Sequence, residues 1–226
     1  MSDPVRYTIG GAPTQTLRGT EKSKSEWVIA WHRWFFGIEA KDNPSYGPYD
    51  YSGRSIDYNQ GRYPPEYADT KGKVYFLAGA AGTTFTTRSI IPYDSWQCIV
   101  VPVYTMSASA DEFPSLSPAD LKNLVEKDVQ GATEPNFGEL KAELDGRGLP
   151  RNEIEQIIIY EPFTVGLPDE NILNVDVPYT KMITNGYWMF LDPEQIDRGD
   201  HLLYVLGKSR KYKSETTYNI CIKGKK

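Results

Sequence analysis

The sequence predicts a mainly β fold, a jelly-roll-like β-sandwich with two short helices at about 26–38 and 118–128. Short apolar or alternating segments recur along the chain and are separated by turns rich in its 19 glycines and 16 prolines. Only two segments carry apolar residues at helical spacing. No internal repeat or low-complexity linker divides the chain. We therefore expect a polar N-terminal arm at 1–22 and a single β-sandwich domain at 23–226.

The first helix is predicted from a cap and a stripe of tryptophans. Ser23 and Glu26 have the spacing of a capping box, in which the side chain of each residue accepts the backbone N–H of the other. The stripe follows at positions i, i+4 and i+7: Trp27, Trp31 and Trp34. Residues at this spacing share one face, so we expect that face to pack on a sheet. His32 lies off the stripe and is expected to be exposed or at its rim.

The second helix is predicted from its start signal. Ser117 is an N-cap residue, Pro118 suits the first helical position, and Asp120 lies in the first turn. One face of this helix is apolar: Leu121, Leu124 and Val125. The sequence therefore predicts a second amphipathic helix that covers part of the sandwich.

The remaining apolar segments predict strands. They are "KVYFLAGA", "TTFTTRSIIP", "WQCIVVPVYTM", "GELKAELDGRGL", "IEQIIIYEPFTVGLP", "TNGYWMFLDP", "GDHLLYVLGKS" and "TTYNICIKG". Pro102 predicts a bulge in the third, Asp145 and Gly146 predict a tight turn, and the last two should form a hairpin. The side chains that we expect in the core are Trp27, Trp31, Trp34, Phe76, Trp96, Ile99, Val101, Tyr187, Trp188, Leu203 and Val205.

Composition narrows the classes of partner. The formal charge is −5 and acidic and basic residues are interspersed, which argues against nucleic acid. No apolar run reaches the roughly 18 residues of a membrane span. Residues 1–20 contain no apolar segment of a secretory signal, so we expect a chain made in the cytoplasm without a signal peptide.

The two cysteines are Cys98 and Cys221. Both lie in apolar, strand-like segments, so buried free thiols are expected. A disulfide between them is the alternative.

No known catalytic motif is present. The chain has only two histidines, His32 and His201, and it lacks the G-x-S-x-G, H-E-x-x-H and C-x-x-C patterns. His201 stands at the start of a strand and is expected to be structural. We therefore expect no enzymatic activity and no catalytic residues.

Residues 43–67 are the strongest candidate for a binding surface. They hold six of the chain's sixteen tyrosines and four prolines, a composition typical of binding loops. The alternative is that the rings pack over the sandwich and bond through their hydroxyl groups. The candidate partner-binding residues are Tyr46, Tyr49, Tyr51, Tyr58, Tyr63 and Tyr67.

The same loop contains carboxylate and amide oxygens that could hold calcium. The candidates are Asp50, Asp57 and Asn59. Their spacing matches no defined calcium loop, and these residue types also form ordinary turns. We expect no bound cofactor, with calcium as the alternative.

An ordered set of segments resembles a known family. "EWVIAWHRWFFGIEAKDNP", "GKVYFLAGAAGTTFTTRSIIPYDSWQCIVVPVYTM", "NGYWMFLDP" and "RGDHLLYVLGK" follow in the order of a family of uncharacterised, mostly exported bacterial and archaeal proteins, over about residues 26–222. The resemblance implies a β-sandwich and carries no known activity. Many exported members have cysteines where this chain has Ser55 and Ser89, and such a loss suits a chain that does not meet an oxidising compartment.

These features favour a non-enzymatic structural or interaction module. Such a module would be a surface or decoration subunit of a larger assembly, for example a phage virion, with a protein partner and possible homo-oligomers. The alternatives are a glycan-binding module that uses the tyrosines of 43–67 and an enzyme of unknown type.

Overall fold

The computed structural model describes residues 22–41, 43, 74–79, 84–88, 92–93, 98–192 and 195–222. These residues contain the two helices α1 (Lys24–Phe36) and α2 (Pro118–Gln130). The first strands are β1 (Val74–Phe76), β2 (Thr84–Arg88), β3 (Pro92–Tyr93), β4 (Cys98–Ser109) and β5 (Glu139–Leu144). The others are β6 (Arg147–Gly148), β7 (Ile154–Gly166), β8 (Tyr179–Leu191), β9 (Gly199–Lys208) and β10 (Lys213–Ile222). The predicted mainly β fold with two short helices is confirmed.

Both helices begin at the predicted caps. Ser23 Oγ accepts the backbone N–H of Glu26, whose carboxylate in turn accepts the N–H of Ser23. Ser117 and Asp120 form the same reciprocal pair at the start of α2. Each cap satisfies two N–H groups that a helix start otherwise leaves without an acceptor.

The strands of the described residues form two sheets. In the four-stranded sheet the order is β1-β4-β8-β7, with β1 parallel to β4 and the other pairs antiparallel. In the other sheet the order is β2-β10-β9-β5-β6, and β3 also pairs with β10. The predicted terminal hairpin is confirmed as β9–β10.

The four-stranded sheet is the middle layer, and side chains alternate between its two faces along β4. Cys98 and Val100 join α1 in an aromatic cluster, whereas Ile99 and Val101 join residues of β5, β9 and β10 in a largely aliphatic one. Further along β4 and β8, α2 packs on the sheet through Val125. The predicted core residues that the structure describes are all buried: Trp27, Trp31, Trp34, Phe76, Ile99, Val101, Tyr187, Trp188, Leu203 and Val205. Trp96 lies outside the described residues.

The bulge predicted at Pro102 is confirmed, since the register between β4 and β8 shifts between Pro102 and Tyr104. Beside it, β9 approaches β4 so closely that a Cβ on Gly207 would lie 2.3 Å from the carbonyl oxygen of Val103. Only glycine fits at that crossing. The predicted turn at 145–146 is also confirmed, with φ of 53° at Asp145 and 74° at Gly146.

No helix among the described residues is both long and apolar enough to span a bilayer. The predicted arm at 1–22 lies outside the described residues except for Lys22.

Candidate functional site

The residues predicted to bind a partner or calcium fall outside the part of the chain that the structure describes. They are Tyr46, Tyr49, Tyr51, Tyr58, Tyr63 and Tyr67, with Asp50, Asp57 and Asn59 as calcium candidates. Both interpretations stay predictions. The described residues form a different candidate site, which the sequence did not indicate.

This site is a cavity of about 380 Å³ beside β4. β1 pairs with β4 only from Cys98 to Val100, and the cavity lies along the following stretch of β4, from Pro102 to Ser107. A cavity of this size can hold a small organic group. The lining residues are Trp31, Phe35, Phe36, Ala78, Gly79, Pro102, Val103, Tyr104, Thr105, Met106, Ser107, Glu112, Asp128, Ile172, Leu173, Tyr212 and Ser214.

One wall of the cavity is aromatic and held in place by α1. Trp31 stacks on Phe35 with 4.6 Å between ring centroids and meets Trp188 edge-on at 5.2 Å. Its indole N–H donates to the carbonyl oxygen of Leu77 at 2.7 Å. Aromatic side chains that are both packed and hydrogen-bonded keep one orientation, so this wall is preorganised.

Among the described residues, the charged groups that line the cavity are two carboxylates, Glu112 and Asp128, and no lysine, arginine or histidine lines it. Asp128 accepts a hydrogen bond from the hydroxyl group of Tyr104 at 2.8 Å, and the Tyr104 hydroxyl also lies 2.9 Å from Ser209 Oγ. Asp128 therefore already has a partner.

Glu112 differs from Asp128. Its backbone N–H donates to Ser109 Oγ at 3.2 Å, which fixes the turn after β4. Its Oε2 is buried and has no hydrogen-bond partner among the described residues. Burial raises the pKa of Glu112 to about 7, because a carboxylate taken out of water without compensation is destabilised in its charged form.

The prediction that His32 is exposed or at the rim is wrong, because its side chain is fully buried. The Trp stripe contacts Phe76 of β1, but α1 also packs against β7 and β8, where the His32 ring lies 5.5 Å from Phe163 and 5.7 Å from Trp188 between centroids. The helix thus buries a wider face than the stripe alone predicts.

His32 belongs to a chain of hydrogen bonds that reaches the cavity wall. Its Nδ1–H donates to the carbonyl oxygen of Val28 at 2.7 Å, which leaves Nε2 to accept the hydroxyl group of Ser107 at 2.7 Å. Ser107 Oγ lies 3.0 Å from Thr184 Oγ1. Burial lowers the pKa of His32 to about 4, so the ring is neutral at physiological pH and a weak base.

His201 lies at the margin of the six-stranded sheet, away from the cavity. Its Nδ1 is 2.7 Å from Asp145 Oδ2 and its Nε2 is 2.7 Å from the carbonyl oxygen of Asp197. The other oxygen of Asp145 accepts the N–H of Leu202 at 2.8 Å. These bonds connect the turn between β5 and β6 to the start of β9.

Cys98 is a free, buried thiol, as the sequence predicts. Burial raises its pKa to about 12, so the thiolate form is disfavoured. The side chain of Cys221 lies outside the described residues.

No local signal in the sequence marks the cavity. Glu112 stands in "SADEFPS", a polar segment typical of an exposed turn, and Ser107 is one of several small residues at the end of β4. No family model, curated protein or solved structure matches this chain.

Proposed function

We propose that this protein is a non-enzymatic interaction module that holds a group of its partner in the cavity beside β4. The observation that carries the proposal is a preorganised aromatic wall in a cavity that is also lined by a glutamate whose buried Oε2 has no hydrogen-bond partner among the described residues. Binding sites typically combine an apolar enclosure with a few polar groups that fix the orientation of the ligand.

The properties of His32 support a binding role over a catalytic one. Ser107 and His32 are within hydrogen-bond distance, as a nucleophile and its base must be. A base that takes the hydroxyl proton must become a cation, however, and burial opposes that by lowering the pKa of His32 to about 4. The second nitrogen bonds to a neutral carbonyl group, which stabilises an imidazolium less than a carboxylate would.

The finer form of the proposal is a surface or decoration subunit of a larger assembly, such as a phage virion. Its mainly β fold of two packed sheets and its polar sequence at 1–22 support this form. It predicts that the purified protein associates with structural proteins from its native source. A monodisperse monomer without such a partner would count against it.

A cavity-filling variant tests the proposed site. Leu173 lines the cavity and is partly buried, so Leu173→Trp should fill the space without disturbing the sheets. Leu202→Trp is the matched control, because Leu202 is exposed on β9. We expect the affinity for the identified partner, measured by calorimetry, to fall at least tenfold in Leu173→Trp and to stay unchanged in the control. Equal affinities in both variants would place the interaction elsewhere.

A further inference from the structure

We propose that the cavity beside β4 binds an alkylammonium group, with Glu112 as its counter-charge. The inference rests on the proposed binding role of this cavity and specifies its ligand. The group could come from a lysine side chain of a partner protein or from a free primary amine.

The charge of the lining favours a cation. Glu112 and Asp128 line the cavity, and no basic side chain from the described part of the chain lines it. Asp128 Oδ1 already accepts the hydroxyl group of Tyr104, whereas Glu112 Oε2 has no hydrogen-bond partner within that part, so Glu112 is the carboxylate with more to gain from a cation. Because the surroundings are partly buried, the attraction to a positive ligand is stronger than it would be in water.

The Oε2 atom of Glu112 is an acceptor without a hydrogen-bond donor from the described residues. A buried carboxylate oxygen normally accepts hydrogen bonds, and leaving it without a donor is costly. An ammonium group supplies both the donors and the opposite charge. A neutral hydroxyl group supplies only a donor, and an anion would add repulsion. Among ligand classes, the organic cation therefore fits Glu112 best.

The aromatic wall of the cavity also favours an organic cation. Trp31, Phe35 and Phe36 line the cavity from α1. Aromatic rings attract cations through their negative faces, and they also cover an apolar stem. A bare metal ion would instead require several oxygen or nitrogen ligands. Within the described residues, no three His, Cys, Asp or Glu side chains come together to supply them.

A neighbouring cavity provides a contrast. It also has a volume of about 380 Å³, but in its lining the basic residues Lys127, Arg210 and Lys211 outnumber the carboxylates Asp128 and Glu134. An alkylammonium ligand should avoid these three basic side chains. Preference for the cavity beside β4 is thus a consequence of charge and not of size.

The proposal predicts a dependence on pH. Binding requires ionised Glu112, and its pKa of about 7 means that protons compete with the ligand below neutrality. The affinity should therefore fall as pH decreases, approaching about tenfold for each pH unit well below 7. The other titratable groups of the described residues that line the cavity are Asp128 on α2, Tyr104 on β4 and Tyr212 before β10. Any pH dependence of the affinity that remains in the variant Glu112→Gln comes from these other groups and not from Glu112.

Three small probes with the same stem test the proposal: n-butylamine, 1-butanol and butyrate. Binding is measured by NMR titration at pH 8 and pH 5.5, with the methyl signals of Met106, Ile172 and Leu173 as reporters of the cavity. We expect butylamine to bind at least tenfold more tightly than butanol at pH 8, and butyrate not to bind. The preference for the amine should largely disappear at pH 5.5.

Glu112→Gln should reduce the affinity for butylamine at least tenfold and leave the affinity for butanol unchanged. The variant should fold, because it removes a carboxyl group whose charge burial disfavours, and a thermal melt verifies this. Glu161→Gln is the matched control, since Glu161 is an exposed glutamate on β7. Tighter binding of Nα-acetyl-lysine amide than of n-butylamine would identify a lysine side chain as the source of the ammonium group, and the ε-acetylated form is the uncharged control.

The outcomes separate the two proposals. Equal binding of butylamine and butanol, with no effect of Glu112→Gln, would overturn the charge recognition and leave the cavity as a binding site. If none of the three probes shifts the reporter signals, the alkylammonium proposal is overturned. In that case, weaker binding of the partner protein by the variant Leu173→Trp would still support the proposed function.

Discussion

The two histidines make hydrogen bonds of the same length, one in a buried aromatic region and the other near the surface beside a carboxylate. His32 lies under α1 and His201 lies beside the turn between β5 and β6, and each ring makes two hydrogen bonds of 2.7 Å. Burial lowers the pKa of His32 to about 4. Partial burial alone would also lower the pKa of His201, but its hydrogen bonds to Asp145 and Asp197 outweigh this effect and raise it.

The nature of the partners explains the difference. A carboxylate and a carbonyl oxygen only accept hydrogen bonds, so both nitrogens of His201 must carry protons to satisfy them. Ser107 can donate as well as accept, so His32 keeps both bonds as a neutral ring. Hydrogen-bond length therefore does not determine the charge of a histidine, whereas burial and the charge of its partners do.

The largest expected effect on the free energy of unfolding comes from a substitution in the core beside α1. Trp27→Ala should lower the free energy of unfolding by about 3–5 kcal/mol, because it removes a fully buried indole ring and leaves a cavity. Leu202→Ala, at an exposed position near His201, should change it by less than about 0.5 kcal/mol. Urea denaturation of both variants measures the contrast. Similar values for the two would mean that α1 does not anchor the fold.

The next effect concerns the charge of His32. The unfolded chain binds a proton here near pH 6.5 and the folded chain only near pH 4, so His32 stabilises the fold above pH 6.5 and this contribution is lost as pH falls. The difference in unfolding free energy between the wild type and His32→Gln should thus decrease by at most about 3 kcal/mol from pH 7.5 to pH 4.

The unfolding free energies of the wild type and His32→Gln must be compared at each pH, because the raised pKa of Glu112 changes the stability of both proteins with pH in the opposite direction. Its raised pKa lets the folded chain hold a proton that the unfolded chain has lost between about pH 4.5 and 7. Glu112 is common to both proteins and cancels in the difference. A flat difference across this range would show that His32 titrates as an exposed histidine does.

A smaller effect concerns the turn beside His201. Gly146 has a φ of 74°, a conformation that L-residues disfavour, although a Cβ added there would meet no atom within 4 Å. Gly146→Ala should therefore destabilise the protein by about 1–2 kcal/mol through backbone strain alone. Gly148→Ala, at an equally open position in β6, should have almost no effect. Thermal melts of the two variants measure this difference. Equal melting temperatures would mean that the turn changes its conformation to accommodate alanine without strain.

The smallest effect concerns the charge of His201. Its raised pKa means that its contribution to stability is complete below about pH 6.5 and is lost as pH rises through the pKa of the folded protein. His201→Gln should cost at most about 1 kcal/mol at pH 6, because the pair lies near the surface, and still less at pH 9. NMR titration of the two imidazole rings provides a second measure. We expect the His201 ring to titrate above pH 6.5 and the His32 ring to stay neutral at that pH.

Local signals made most of the fold predictable. The serine caps located both helices, the continuous apolar run with Pro102 located β4 and its bulge, and Asp145 with Gly146 located the turn. Each of these signals depends on neighbouring residues only. A sequence read locally can therefore supply them.

The candidate site depends on contacts between distant segments and was not predictable in this way. Glu112 has the sequence context of an exposed turn, and its burial follows from the surrounding elements of the fold. His32 is buried because α1 also packs against β7, a strand far along the chain. The parallel pairing of β1 with β4 and of β2 with β10 has no local signature either.

The parallel pairing of β2 has a consequence for the order of events during synthesis. The N–H of Gly79 donates to the hydroxyl group of Tyr218, 139 positions further along the chain, and β2 pairs with β10 in the same region. A ribosome that adds about 5–20 residues per second needs on the order of ten seconds to produce that partner. Among the described strands only β10 pairs with β2, so β2 lacks this partner during the interval, and its threonines keep the nascent segment polar until β10 emerges.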